Sequence, residues 1–97
     1  MLNLELFKTE VKNQARDILV YEVYYYDDNY TIMKNFKKEM DKYIEIFWST
    51  YTINFNCYFG LEESNTIFCN FDIEDIQCGF QFCLQIDMYK RLRYGVG

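Results

Sequence analysis

The sequence predicts an α+β fold in which two N-terminal helices pack on one face of a three-stranded antiparallel meander, in the order α-α-β-β-β. Two observations support this prediction. Apolar residues recur every three or four positions before Ser49, which is typical of helices, and every second position from Thr50 onward, which is typical of strands. The 97 residues show no linker and no internal repeat, so we expect a single domain over 1–97.

The first helix is predicted from an apolar stripe that begins at Leu4 and continues to about Tyr25. Its members are Leu4, Phe7, Val11, Ala15 and Ile18, and Leu19 and Val23 extend it. The segment 18–26 is also rich in β-branched and aromatic residues, which favour strands. The alternative order α-β-α-β-β-β, with a strand near 18–26, therefore stays open.

The second helix is predicted to follow the turn Asp27-Asp28-Asn29, because Asp and Asn favour turns and can cap a helix N-terminus. After this turn, apolar and charged residues separate onto two faces. The apolar stripe contains Ile32, Met33, Phe36, Met40, Tyr43, Ile44 and Phe47. The stripes of the two helices are the available cover for the apolar side of a sheet.

Strict alternation of apolar and polar residues from Thr50 onward predicts three strands that share one apolar face. The inward positions are Tyr51, Ile53, Phe55, Cys57 and Phe59, then Ile67, Cys69, Phe71 and Ile73, then Phe80, Phe82, Leu84, Ile86 and Met88. Turns are predicted at 60–65 and 74–79. The basic tail from Lys90 onward is expected to fray, as chain termini commonly do.

The register of both hairpins follows from the requirement that the apolar positions share a face. A slip by one residue would turn every apolar side chain of a strand toward water. We therefore predict that Ile53 lies opposite Ile73 in the first hairpin. In the second hairpin we predict Ile73 opposite Phe80 and Phe71 opposite Phe82.

Composition argues against an enzyme and against a metal or cofactor site. Histidine is absent, the glycines are isolated, and Ser49 and Ser64 have no adjacent base. Among the four cysteines, only Cys78 and Cys83 approach the spacing of a zinc knuckle, and a second knuckle is missing. We predict no catalytic residue, no metal and no cofactor, and expect reduced thiols, with Cys83 exposed.

The sequence has features of a cytoplasmic protein from an AT-rich genome. Glu5 and Glu10 interrupt the apolar positions that a signal peptide would need, and no run of about 18 apolar residues suggests a membrane span. Tyr, Phe, Ile, Asn and Lys, whose codons are AT-rich, are abundant, and proline is absent. This bias is typical of low-GC bacteria, their phages and other viruses.

Negative charge is concentrated in the predicted sheet. The net charge of −5 argues against direct binding of nucleic acid. Residues 49–76 carry no basic side chain, and their five acidic residues are Glu62, Glu63, Asp72, Glu74 and Asp75. The two loops belong to successive hairpins and should lie at opposite ends of the sheet, so Asp27 and Asp28, or a second copy of the chain, would be needed to complete one patch. Such a patch can imitate phosphates in a basic groove; solvated loop carboxylates are the alternative.

Exposed aromatic residues are the second candidate for partner contacts. Tyr58 and Phe68 lie on the predicted outer face of the sheet, among uncharged Thr, Asn and Gln side chains. Tyr25 and Tyr26 precede the acidic turn between the helices. Protein interfaces are enriched in aromatic residues and depleted in charge, so both groups are candidate contact residues.

Together these features predict a small acidic non-enzymatic protein-binding module in the cytoplasm. The codon bias, size and acidity favour a phage or viral inhibitor of a host nucleic-acid-binding defence complex, of the anti-CRISPR type, acting on a basic protein in the host cytoplasm. The alternative is a structural or regulatory homo-oligomer, such as a dimer, that uses the outer sheet face or a strand edge. A small enzyme is a remote third possibility.

Overall fold

The computed structural model describes residues 2–93, without the side chains of 63, 64 and 93, and confirms the predicted α+β class. Its elements are α1 (Leu4–Tyr25), α2 (Asn29–Phe47), β1 (Ile53–Gly60), β2 (Glu63–Ile73), a single 3-10 turn (Glu74–Ile76), β3 (Cys78–Gln85) and α3 (Ile86–Arg93). The strands form one antiparallel sheet in the order β1-β2-β3. As predicted, α1 and α2 pack against one of its faces.

Helix α1 is continuous, and the alternative strand near 18–26 does not form. The helix begins at the N-cap Asn3, whose Oδ1 accepts a hydrogen bond from the backbone N–H of Leu6 at 3.1 Å. Its buried apolar residues are spaced four apart: Phe7, Val11, Ala15, Leu19 and Val23. Burial of this long stripe outweighs the β-propensity of individual residues near its end.

Helix α2 begins at the N-cap Asp28, within the turn that the sequence predicts. Asp28 Oδ2 accepts hydrogen bonds from the backbone N–H of Thr31 at 2.8 Å and from its hydroxyl at 2.9 Å. These bonds stabilise the ionised carboxylate and lower the pKa of Asp28. The buried side chains of α2 are Ile32, Phe36, Met40 and Ile44.

The register of the first hairpin matches the prediction. Ile53 lies opposite Ile73, and the pairing continues through Phe55↔Phe71, Cys57↔Cys69 and Phe59↔Ile67. The connecting turn is shorter than the predicted 60–65, because β2 begins at Glu63 and only Leu61 and Glu62 lie between the strands. A register irregularity between Phe59 and Gly60 accommodates this tight turn.

The predicted register of the second hairpin is wrong by two residues. Phe71 lies opposite Phe80, and Ile73 lies opposite Cys78. The chain reverses earlier than expected because Gln77 adopts the left-handed conformation, with φ 49° and ψ 47°. Gly79 then joins the strand, where a Cβ would approach the carbonyl oxygen of Phe71 to 3.2 Å. A shift by two residues leaves every side chain on its predicted face.

The prediction of a strand through Met88 and a frayed basic tail is also wrong. β3 ends at Gln85, and α3 extends from Ile86 to Arg93. Helix α3 is held at both sides: Asn65 Nδ2 donates to Asp87 Oδ2 at 2.8 Å, and Lys90 Nζ donates to the carbonyl oxygen of Asp27 at 2.7 Å. The predicted fraying of residues 94–97 lies outside the described residues.

The core lies between the helices and the inner face of the sheet. The Phe7 ring, which is fully buried, makes edge-to-face contacts with Trp48, Phe71 and Phe80 at centroid distances of 4.8, 5.9 and 5.7 Å. Ile86 is also fully buried, so α3 contributes to the same core. Within residues 2–93, no helix combines the length and the apolar composition that crossing a membrane requires.

Candidate functional site

The outer face of the sheet is a broad polar surface. Side chains on this face alternate with the buried positions, and they are Asn54, Asn56 and Tyr58 on β1, Phe68, Asn70 and Asp72 on β2, and Gln81, Cys83 and Gln85 on β3. Most of them are exposed, because the helices pack on the opposite face. Asp72 is the single charged residue among them. Contact with water does not require aromatic side chains. Tyr58 and Phe68 are therefore the residues of this face whose presence suggests contact with a partner.

Tyr58 and Phe68 form an aromatic pair on this face. They are directly opposite in the register, and their rings stack at a centroid distance of 5.7 Å with an interplanar angle of 16°. Asn70 Nδ2 lies 3.3 Å from Tyr58 Oη and donates a hydrogen bond to it. Because cross-strand stacking and this hydrogen bond restrict the rings, the pair presents a preorganised apolar surface.

A shallow cavity of about 570 Å³ lies next to the aromatic pair. Its polar lining comes from Asn54, Asn56, Asn70, Asp72 and Gln81. Gly79, opposite Asp72 on the edge strand β3, contributes no side chain to this lining. The buried Oδ1 of Asn70, in this lining, has no hydrogen-bond partner within the described residues.

The acidic residues predicted as a patch lie at opposite ends of the sheet. Asp72, Glu74 and Asp75 lie at the end where β2 turns into β3, and we call these three residues the acidic corner. Glu62 lies in the turn between β1 and β2, at the other end. Glu63 follows it in the chain, at the start of β2.

Two residues of the acidic corner also support the fold. Asp75 Oδ2 accepts a hydrogen bond from the backbone N–H of Thr52 at 2.6 Å. Glu74 Oε1 accepts one from Asn54 Nδ2 at 3.4 Å. These bonds attach the 3-10 turn to the start of β1, so Asp72 is the member of the corner without such a structural bond among the described residues.

The acidic corner is not neutralised by described basic side chains. The ion pairs found between described side chains lie within the helices, and they are Lys8–Glu5, Lys37–Asp41 and Lys42–Glu39. No described Lys or Arg nitrogen lies within 4.0 Å of a carboxylate of the corner. The negative potential of the corner therefore extends into solvent beside the outer face.

The remaining predicted contact residues lie at the junction of α1 and α2, separate from the acidic corner. Tyr25 and Tyr26 are exposed there, and Tyr25 packs against Tyr21 at a centroid distance of 4.7 Å. Asp28 caps α2, and the backbone of Asp27 accepts a hydrogen bond from Lys90 of α3. Lys90 Nζ also donates to Asn29 Oδ1 at 2.7 Å, which places a positive charge beside Asp27 and Asp28.

The cysteines divide into buried and accessible thiols. Cys57 and Cys69 are buried, and burial raises the pKa of Cys57 to about 11 and that of Cys69 further. Cys83 is exposed on the outer face, opposite Phe68. In the described part of the chain, no group of three or more Cys, Asp and Glu side chains is arranged to hold a metal ion.

Glu22 is a buried carboxyl group that sequence reasoning missed. It is only 4% exposed, between α1 and α2, and its Oε2 has no hydrogen-bond partner among the described residues. Burial, followed by the nearby charge of Glu39, raises the pKa of Glu22, while a hydrogen bond from Asn35 opposes the shift. The sequence alone could have indicated this burial, because position 22 falls within the apolar stripe of α1, between Leu19 and Val23.

Replacing Glu22 with Gln is expected to stabilise the protein by about 1–2 kcal/mol near neutral pH. The neutral amide removes a desolvated charge that Glu39 repels. Because the folded-state pKa of Glu22 is raised, the cost of ionisation is present at neutral pH and disappears below the ordinary value of 4.5. Urea unfolding at about pH 7 and about pH 4 measures both effects.

Glu5→Gln is the matched control for this prediction, because Glu5 is exposed on the same helix. It is expected to change stability by less than about 0.5 kcal/mol at either pH. A Glu22→Gln gain that persists unchanged at the lower pH would contradict the assignment of a desolvated carboxylate.

Comparisons of the chain with protein-family models, curated proteins and solved structures find no match. The class that the fold and the surface define is a two-layer α+β protein with an aromatic and amide-rich outer sheet face bordered by carboxylates.

Proposed function

We propose that this protein is a small non-enzymatic binding module that contacts a basic protein partner through its outer sheet face and acidic corner. The observation that carries the proposal is the stacked Tyr58–Phe68 pair on an otherwise amide-rich face, whose opposite end along β1 and β2 carries the acidic corner with no described basic partner. The aromatic pair supplies apolar contact area, and the corner supplies charge complementarity for a basic partner.

A protein partner fits this surface better than a nucleic acid or a small substrate. Nucleic acid requires basic side chains near its phosphates, whereas Asp72 is the one charged residue of the face. The cavity beside the aromatic pair is shallow, and its polar lining consists of amides and the single carboxylate of Asp72, without a Ser, Cys or Lys nucleophile. Amides and aromatic rings are common in the contact surfaces of protein complexes.

The specific role that we propose is inhibition of a host nucleic-acid-binding defence complex, of the anti-CRISPR type, by a phage or viral protein in the host cytoplasm. The support is the AT-rich codon bias, the small size and the negative charge of −5. Proteins that bind nucleic acid carry basic grooves, and a carboxylate surface can occupy such a groove in place of phosphates. Electrostatic attraction would make association fast and sensitive to salt.

A second candidate function is self-association through a strand edge. β1 and β3 each have eight residues, and neither contains a charged residue or proline that would discourage pairing with another chain. Light scattering at increasing concentration tests this candidate. A mass that stays near 11.9 kDa would exclude a dimer over the concentrations measured.

Two variants of the outer face test the proposed function in a pull-down from lysate of the host. Asp72→Lys reverses the charge at one of the three positions of the acidic corner without removing a described hydrogen bond, and Tyr58→Ala with Phe68→Ala removes the aromatic pair. Each is expected to weaken retention of the partner by roughly tenfold or more. Raising the salt concentration from about 50 to about 200 mM is expected to weaken retention by a similar factor.

Glu45→Lys is the matched control, because it makes the same charge change at an exposed position on α2. It is expected to leave retention of the partner unchanged. Alkylation of Cys83 supplies an independent measurement, because a partner on the outer face should slow it. A partner that both outer-face variants retain at the level of the unmodified protein, and that leaves Cys83 freely reactive, would contradict the proposal.

A further inference from the structure

A second candidate binding site lies in the groove between α1 and α2, in the helical layer. A cavity of about 340 Å³ opens there, lined by Gln14, Asp17, Ile18, Tyr21, Glu22 and Glu39. Its volume is at the lower end of the range for ligand cavities, about 300–1,000 Å³. This space suits one side chain or a ligand of similar size.

The groove contains a buried carboxylate oxygen that lacks a hydrogen-bond donor among the described residues. Glu22 lines it and is 4% exposed, yet its Oε2 has no hydrogen-bond partner in the described part of the chain. A buried carboxylate oxygen without a donor is costly, because the charge has lost its water. Asp17 and Glu39 add two further carboxylates to the same lining, so this groove favours a ligand that is a cation and donates hydrogen bonds.

The described basic residues do not supply this cation. No Lys or Arg among them lines the cavity. Lys42 lies 3.4 Å from Glu39, but more than half of its side chain is exposed, and the Oε2 atom of Glu22 has no donor among the described residues. The described Cys, Asp and Glu side chains form no group of three that could hold a metal ion, which argues against a metal in this groove.

We propose that the α1–α2 groove binds a guanidinium group. A guanidinium carries five N–H donors in a plane, so it can serve several separated carboxylates at once. Tyr21 and Ile18 provide apolar contact for the aliphatic stem that such a group carries in arginine. The ring of Tyr21, which packs against Tyr25, also offers an aromatic face within the lining for a cation–π contact.

Matched small probes test this proposal by NMR of the full chain with labelled carboxyl groups. Butylguanidinium and butylammonium have the same alkyl stem and charge but differ in their donor geometry. We expect butylguanidinium to shift the carboxyl signals of Glu22 and Glu39 saturably, and with at least severalfold higher affinity than butylammonium. An equal response to the two probes would overturn the guanidinium assignment.

Variants and a peptide probe complete the experiment. Glu22→Gln is expected to weaken binding of butylguanidinium roughly tenfold, whereas Glu5→Gln leaves it unchanged. Thermal melts establish that both variants are folded.

Acetyl-Gly-Arg-Gly-amide tests whether the guanidinium group comes from a protein or from a free metabolite. Tighter binding than butylguanidinium supports arginine of a protein partner, and weaker binding supports a free guanidinium compound. Absence of any shift with all three probes would overturn the site.

Discussion

Phe71→Ala is expected to lower the free energy of unfolding by about 3–5 kcal/mol, a large part of the stability of a small protein. Phe71 is 3% exposed at the centre of the middle strand. Its ring contacts Phe55, Phe80 and Phe7 at centroid distances of 4.8, 4.9 and 5.9 Å. Truncation removes these contacts and leaves a cavity between both helices and the sheet. Urea unfolding monitored by circular dichroism measures the loss.

Phe68→Ala is the control for this prediction, because it makes the same chemical change on the same strand but on the outer face. Phe68 stacks on Tyr58 and is only partly buried. Its truncation is expected to cost about 1 kcal/mol or less. If both variants lost the same stability, the assignment of inner and outer faces would be incorrect, and the proposed binding surface would be incorrect with it.

Ile86→Ala is expected to lower the free energy of unfolding by about 2–5 kcal/mol. Ile86 is fully buried at the first position of α3, where the chain leaves the sheet. Its loss should destabilise the attachment of α3, which Lys90 also holds through Asp27 and Asn29. Urea unfolding measures the total loss, and hydrogen exchange of the α3 amides measures the local opening.

Met88→Ala is the matched control within α3, because Met88 is 57% exposed. It is expected to change stability by less than about 1 kcal/mol. An Ile86→Ala variant as stable as Met88→Ala would mean that α3 does not contribute to the core in solution.

The fold separates a stabilising side of the sheet from a side available for contacts. Phe55, Phe71 and Phe82 are directed toward the helices, so substitutions among them act on stability. Tyr58 and Phe68 are directed away, so their loss should act mainly on binding. This division makes the proposed function testable, because the outer-face variants are expected to remain folded while they lose the partner.

Several elements could be predicted because the residues that indicate them are close together in the chain, or because alternate residues of a strand point to opposite faces of the sheet. The stripe from Phe7 to Val23 predicted α1, and the side chain of Asp28 predicted the start of α2. The pairing of Phe55 with Phe71 followed from the requirement for one apolar face. The positions of Tyr58, Phe68 and Asp72 on the outer face followed from the same alternation.

Other features could not be predicted, because they depend on contacts between distant residues. The left-handed Gln77 sets the second register, yet glutamine carries no strong preference for that conformation. The alternation of apolar and polar residues continues to Met88, yet α3 already begins at Ile86. Lys90 and Asn65 attach this helix through hydrogen bonds between residues that are distant in the chain. The acidic corner depends on hydrogen bonds from Thr52 and Asn54, which precede their acceptors by 23 and 20 positions.

By itself the sequence determined the order of the two N-terminal helices and the three strands, and which strand side chains face the core, because apolar periodicity specifies the face of each strand. At the end of α2 the periodicity was misleading, because Phe47 of the predicted apolar stripe is exposed. Only the tertiary structure decided the register of β3, the presence of α3 and the isolation of Glu22 between two helices. For the register, the physical reason is that a shift of β3 by two residues leaves the same side chains on each face of the sheet. The choice between such arrangements is then made by packing and hydrogen bonds across the whole chain.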